Sequence, residues 1–184
     1  MLLQAANNED EDLSRAQRGD RQAFAVLVRA HQRSVYGLAL RMLSRADLAE
    51  ELAQDVFLKL FHALRDLTSA AHLRFWLRRV TANLAIDRLR QDAPLTANTP
   101  FAEYEPAAPE NHDDPMLQKK LQRLVAGLAP QARAVVLLRY QADLDPLDIA
   151  EVLEMPVNTV KSHLKRSLDF LREHFAVERG GQPS

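Results

Sequence analysis

The sequence predicts an all-α fold, two small helical bundles joined by an extended acidic linker. Apolar residues recur at helical spacing through two blocks, and nothing alternates with strand period over a useful length. Only five glycines interrupt 184 residues, and 47% of the residues are hydrophobic, enough for cores. Between the blocks lies a stretch dense in proline and acid, a composition that builds no core. These shifts set the boundaries at residues 10–91, 92–115 and 116–175.

Taken in order, residues 1–9 are expected to be loose, and Glu11 to Arg18 to form a short helix with Leu13 and Ala16 inward. Gly19-Asp20 breaks it, and Asp20 can cap the next helix. Phe24, Leu27, Val28, His31, Val35, Leu38, Ala39 and Met42 then repeat at helical spacing to about Leu43. His31 on this stripe reads as a hydrogen-bonded core or boundary residue, since no second ligand lies near it in sequence. Ser44 to Asp47 has the look of a capping box. It opens a long helix with Leu48, Leu52, Val56, Phe57, Leu60, Phe61 and Leu64 on the apolar stripe. Glu50, Glu51, Gln54, Asp55 and Lys59 are among its polar positions. Asp66 to Ala71 is a turn, and Leu73, Trp76, Leu77, Val80, Leu84 and Leu89 mark another helix ending near Gln91. Short connections make this block a compact antiparallel bundle.

The linker carries Pro94, Pro100, Pro106, Pro109 and Pro115, together with six acids, Asp92, Glu103, Glu105, Glu110, Asp113 and Asp114. The second bundle begins at Met116, with Leu117, Leu121, Leu124, Val125 and Leu128 on its first helix. Val135, Val136, Leu138 and Tyr140 help to form its second. From Asp145 to Arg172 come two helices with a tight break between them. Asp145 caps the first, Pro146 suits its first turn, and Asp148 stands three residues on. Pro156 disfavours helical geometry at Met155 and so sets the break. Val157, Val160, Leu164, Leu168 and Leu171 stripe the last helix, while Lys161, Ser162, Lys165 and Arg166 fall mainly on its other side. A short helix, a turn and a longer helix with a basic face is the helix-turn-helix pattern, whose second helix enters a DNA major groove. An ordinary helical hairpin with a solvated basic face is the plainer alternative. Residues 176–184 are expected to fray.

A formal net charge of −1 hides an uneven distribution. Arg65, Arg74, Arg78, Arg79, Arg88 and Arg90 outnumber Asp66 and Asp87, the linker is anionic, and basic residues return in the second block. Two cationic blocks flanking an anionic linker suit a protein that touches nucleic acid at two places. The absence of cysteine excludes a disulfide framework or thiol switch. No apolar window of about 18 residues exists, so no membrane span is expected. The acidic start MLLQAANNEDEDL lacks the features of a signal peptide, and a cytoplasmic protein is expected. There is no Gly-rich phosphate loop, no histidine pair at metal spacing and no nucleophile elbow. The chain is therefore expected to act by binding, not as an enzyme, with no cofactor and no metal.

Residues 124–172 resemble region 4 of bacterial sigma factors of the extracytoplasmic-function group. The resemblance is carried by Leu128-Ala129-Pro130, Arg133, Asp148-Ile149-Ala150, Thr159-Val160-Lys161-Ser162 and Arg166. Residues 13–91 resemble region 2 of the same factors. The carriers are Arg18-Gly19-Asp20, Ala23-Phe24, the run Ala49 to Leu58, Trp76-Leu77, Asn83 to Asp87 and Leu89-Arg90. The order and spacing of the two regions are more specific than any single match. Departures are the exchanged acid lengths at Glu51 and Asp55, Leu73 in place of an aromatic, and His163 and Ser167 in place of Arg and Ala.

The resemblance implies a sigma factor that brings core RNA polymerase to promoters and supports DNA melting. Glu51, Gln54, Asp55 and Leu58 would face the clamp helices of the largest polymerase subunit. The turn before the fourth helix and the helix itself would hold the promoter −10 element, through His72, Arg74, Arg78, Arg79 and Asn83, as single-strand binders use a cationic groove with pockets for unstacked bases. Asn83 would read or brace an extruded base, or else serve as a helix-packing amide. Trp76 shares the stripe of Leu73, Leu77 and Val80 and reads as core. Thr159, Lys161, Ser162, His163, Lys165 and Arg166 would meet the −35 element. The linker would thread through the polymerase, either imitating nucleic acid or acting as a plain tether. A dedicated anti-sigma factor is implied as a further partner. Two rivals are a helix-turn-helix regulator that works without core polymerase, and a helical adaptor with no DNA role. The first would need a receiver or ligand domain, which residues 13–91 do not resemble, and the arginines of the fourth helix disfavour the second.

Overall fold

The computed structural model of the protein describes residues 2–92 and 115–177, so the expectations for the linker interior and the extreme C-terminus lie outside the described residues. Among the described residues all regular structure is helical: α1 (Leu2–Gln17), α2 (Arg21–Leu43), α3 (Ala46–Ala63), a 3-10 turn (Leu64–Asp66), α4 (Ala70–Asp92), α5 (Pro115–Ala126), α6 (Pro130–Tyr140), α7 (Pro146–Val152) and α8 (Val157–Val177). None of these helices is long and apolar enough to cross a membrane.

Local chemistry explains most of the boundaries. Gly19 takes φ 93°, and the N–H groups of Gly19 and Asp20 close back on the Ala16 and Arg15 carbonyls, ending α1 in a left-handed cap. Asp20 then accepts from the Gln22 and Ala23 N–H groups and starts α2, as expected. The backbone bonds to Asp20, with Arg15 beside it, hold its carboxyl below the ordinary range.

Three sequence expectations are corrected here. Residues 2–9 are helical rather than loose, because the acids at the end of this stretch have partners on the bundle: Glu9 bonds His31 and Arg74, and Asp10 accepts from the Ala70 N–H at 2.5 Å. The capping box at Ser44–Asp47 does not form. Ser44 adopts φ 58° and closes α2 through its N–H to the Leu40 carbonyl, while the N-cap of α3 is Arg45, whose side chain pairs with Asp47. The break before α8 comes earlier than Pro156 dictates. Glu154 takes φ 51°, and the Met155 N–H bonds the Ala150 carbonyl at 3.0 Å, so a left-handed cap ends α7. Asp145 caps α7 by accepting from the Leu147 and Asp148 N–H groups.

The first four helices form one bundle. Leu27, Val35, Met42, Val56, Leu60, Leu73 and Leu77 are buried in it, and Trp76 packs against this core from a half-buried position. His31 is buried and hydrogen-bonded, as read from the sequence. In the second bundle Val135, Leu138, Ile149, Val152 and Val160 are fully enclosed. Tyr140, Leu117 and Leu121, expected inside, are largely exposed, and so is Phe61 of α3.

The two bundles are not separate in space. Every residue of α6 from Ala132 to Leu138 is buried, and seven consecutive helical positions cover all faces of a helix. Helix α6 therefore lies between the bundles, with α7 and α8 on one side and α2 and α4 on the other. Arg133 on α6 is buried and donates to the carbonyl of Met42, in the last turn of α2. The end of a helix leaves carbonyls without intrahelical partners and carries partial negative charge, which suits a guanidinium.

Candidate functional site

The site residues expected from the sequence fall on three faces, and the first is α3. Its residues divide by helical phase. Gln54 and Leu58 join Glu50, Ala53, Phe57 and Phe61 in facing α2, where Phe24, Val28, Gln32, Arg33 and Tyr36 complete a largely apolar groove of about 1000 Å³. Leu58 is 60% exposed and Phe61 56%, although α3 buries Leu52, Val56 and Leu60. Phe61 meets Phe24 edge-to-face at 5.4 Å. Glu51 and Asp55 look instead into a second, smaller groove between α3 and α4, shared with Leu48, Leu84, Asp87, Arg88 and Gln91. There Arg88 donates to Glu51 at 3.2 Å. The four residues grouped by sequence thus serve two faces. Phe24 and Phe61 were missed as surface residues because each falls on an apolar stripe, where periodicity assigns it to the core. The signal available was the unusual width of the α3 stripe: Leu52, Val56, Phe57, Leu58, Leu60 and Phe61 together span an arc of about 240° at about 100° per residue.

The second face is α4. Spacing of four residues pairs Arg74 with Arg78, and Arg79 with Asn83, along neighbouring lines of the helix. All four are half-buried. Arg74 is bonded to Glu9, Arg79 to Glu154 of the turn after α7, and Arg78 lies near Asp148 of α7. Burial, with Arg74 nearby, lowers the pKa of Arg78, and Asp148 opposes this. His72 stands in the first turn of α4, where its Nδ1 accepts from the Thr68 N–H at 3.3 Å. The sequence placed the arginines on one cationic helix but gave no sign that carboxylates from distant segments would meet them.

The third face is α8, whose phases separate cleanly. At about 100° per residue, Lys161, Lys165, Ser162, Arg166, Thr159 and His163 sweep an arc of about 200°, and the apolar residues occupy the remainder. Val160, Ser167 and Leu171 are buried, with Leu164 and Leu168 half-buried, while Thr159, Lys161, Ser162, Lys165 and Arg166 are exposed. His163 sits at the edge, half-buried. Ser162 is engaged locally, donating to the Asn158 carbonyl at 2.9 Å. Among the described residues no cluster of His, Asp or Glu could hold a metal ion. The three faces offer surface for macromolecules: an apolar groove, an arginine-bearing helix and a solvent-facing basic arc.

The comparisons with known proteins fall on these same elements. Residues 27–94 match the family model "Sigma-70 region 2" and residues 118–171 match "Sigma-70, region 4". The chain is 30% identical to the RNA polymerase sigma-H factor of Pseudomonas aeruginosa, covering 95% of each chain. It is 28% identical to the ECF RNA polymerase sigma factor SigW of Bacillus subtilis, over 88% of this chain and 93% of the relative. Among solved structures, CnrH in complex with the cytosolic domain of CnrY aligns with a TM-score of 0.67 at 21% identity, covering 92% of this chain and 97% of that one. The sigma factor RpoE of Bartonella quintana, solved with the anti-sigma factor NepR, aligns at 0.65 and 19% identity over 86% and 98%. At such identities these two likenesses speak for the fold.

Proposed function

The chain belongs to the sigma-70 family, in its extracytoplasmic-function group, and on that premise we propose how it divides the work of a sigma factor among its three faces. A sigma factor binds core RNA polymerase and directs it to specific promoters. The apolar α2/α3 groove takes the clamp helices of the largest polymerase subunit, with Leu58 and Phe61 burying their exposed area and Gln54 bonding alongside. Glu51 and Asp55, in the neighbouring groove, contribute charge at the margin. Arg74, Arg78, Arg79 and Asn83, with His72 at the head of α4, hold the −10 element. The basic arc of α8 enters the major groove of the −35 element, where Arg166 or Lys165 reads a base edge and the other residues position the helix on phosphates.

The observation that carries this reading is the occurrence of region 2 and region 4, in order, in one chain. A regulator acting without polymerase would have no use for the first. Action is by binding, in the cytoplasm where core polymerase works. A dedicated anti-sigma factor that occludes the polymerase-binding surfaces is a further proposed partner, supported by the anti-sigma factor NepR named with the structural relative RpoE. Transcription in vitro with core polymerase, followed by mapping of start sites, tests the function. Initiation at defined promoters only when this chain is present is the expected result, and its absence at every promoter of a genomic library would overturn the reading.

A further inference from the structure

The segment that leads into α4 is held from behind by α1. Gln17, half-buried in the last turn of α1, donates from its amide nitrogen to the Leu64 carbonyl at 2.9 Å and to the Leu67 carbonyl at 2.7 Å. Both partners are acceptors, so the NH2 end of the amide is the one that fits, and both of its hydrogens are engaged. Asp10, two turns earlier on the same face of α1, accepts from the Ala70 N–H at 2.5 Å. Ala70 is the first residue of α4, where an N–H has no partner inside the helix. Glu9 beside it bonds both Arg74 of α4 and His31 of α2. Gln17 and Asp10 reach only backbone groups of this segment, while Arg65, Asp66 and Thr68 remain exposed.

We propose that α1 is a splint for the −10 reader, with Gln17 and Asp10 as positioning residues. They fix the backbone from Leu64 to Ala70, and with it the direction in which His72 and Arg74 are presented to the promoter, without touching DNA themselves. Irregular chain that is fixed beforehand need not be ordered when DNA binds. A surface that cannot re-pack also discriminates between bases better than one that adjusts to the wrong base. The helix that does this precedes the residues matched to region 2, which begin at residue 27. The role in promoter choice rests on the assignment of α4 and His72 to the −10 element, whereas the bracing of the segment does not.

The test uses holoenzyme reconstituted from the full chain and core polymerase. The probes are fluorescein-labelled single-stranded DNA carrying the −10 element of a mapped promoter, and a second strand in which that element is replaced. The readout is the ratio of the two affinities. Gln17→Leu, which keeps the bulk and removes both donors, should lower this ratio about threefold to tenfold, and so should Asp10→Ala. Asp10→Asn keeps an acceptor for the Ala70 N–H and should keep the parental ratio. Affinity for core polymerase and preference at the −35 element should stay parental in all three. Val35→Ala, a cavity in the same core, controls for lost stability, with thermal melting to compare the variants. In the free chain, which has no cysteine, a nitroxide carried by Asp66→Cys should gain mobility when Gln17→Leu or Asp10→Ala is added. Should Gln17→Leu fail to fold, the contrast between Asp10→Ala and Asp10→Asn still decides. Parental ratios in Gln17→Leu and Asp10→Ala, or losses that Val35→Ala reproduces, would overturn the positioning role. Arg78→Gln with Arg79→Gln then locates the fault: if this pair weakens binding of the −10 strand, the splint is wrong, and if it does not, the assignment of α4 to that element fails.

Discussion

Leu58 offers the sharpest test of the polymerase interface, since its exposure lets binding be separated from folding. Full burial of a leucine side chain stabilises by about 1.5–3 kcal/mol. Leu58 is 60% exposed, so docking can realise only the outstanding fraction, about 1–2 kcal/mol. Leu58→Ala should therefore weaken core binding by about fivefold to thirtyfold. Phe61→Ala should act in the same direction, but it also removes the edge-to-face contact with Phe24 and so disturbs the groove itself. Leu58 is the cleaner probe. The contrast is Glu51→Ala with Asp55→Ala, in the second groove, where Glu51 is already held by Arg88. Exposed charges contribute little once screened, and this pair should cost about threefold or less. The assay is an anisotropy titration of the labelled full chain with core polymerase, with thermal melting to check the fold. Parental affinity of a natively melting Leu58→Ala chain would refute the groove assignment. A greater loss from the acid pair than from Leu58 would move the interface to the α3/α4 groove.

On α8, Arg166→Ala should cost about 1–3 kcal/mol and relax preference at one −35 position, while Lys165→Ala should weaken all promoters alike and lower the salt slope by about one unit. Holoenzyme titrations across −35 variants at several salt concentrations distinguish the two, and no change from either substitution, alone or combined, would remove α8 from the −35 element. Limited proteolysis should cut first between residues 92 and 115, because this proline-rich acidic stretch supplies no core, and the resulting fragments should co-elute, since α6 packs against α2 and α4. Early cleavage inside either bundle would contradict this. Burial pushes the pKa of Arg133 down to about 10, below its value in the unfolded chain. The unfolded state then binds more protons from about pH 10 upward, so this residue makes stability rise with pH there and imposes a constant cost at lower pH. Urea midpoints of Arg133→Met should lack that alkaline rise relative to the parent, and equal slopes would show that the guanidinium is not held in this environment.

Much of the fold was legible because the information is local. The Gly19-Asp20 break, the Asp145 cap and the stripes of α2, α3 and α8 each depend on residues within a turn or two of one another, and each appears where periodicity and capping place it. The basic arc of α8 was legible for the same reason, since phase along one helix sorts exposed from buried residues. Periodicity failed where a helix has more than one apolar side. It sent Phe61 and Phe24 to the core, although they line an open groove, and it sent Tyr140, Leu117 and Leu121 there too, although they remain exposed.

The sequence by itself determined the helices, their order, the two blocks with their charges, and the family pattern that runs through both. Only the tertiary structure decided which acids meet which basic residues: Glu9 with His31 and Arg74, and Glu154 with Arg79. It also decided that α6 is buried on every side and that Arg133 closes the end of a helix ninety-one residues away in the chain. Helical phase is set by neighbours three and four residues apart, whereas an ion pair between segments far apart in sequence depends on how whole helices pack. Nothing in the spacing of single residues encodes that packing.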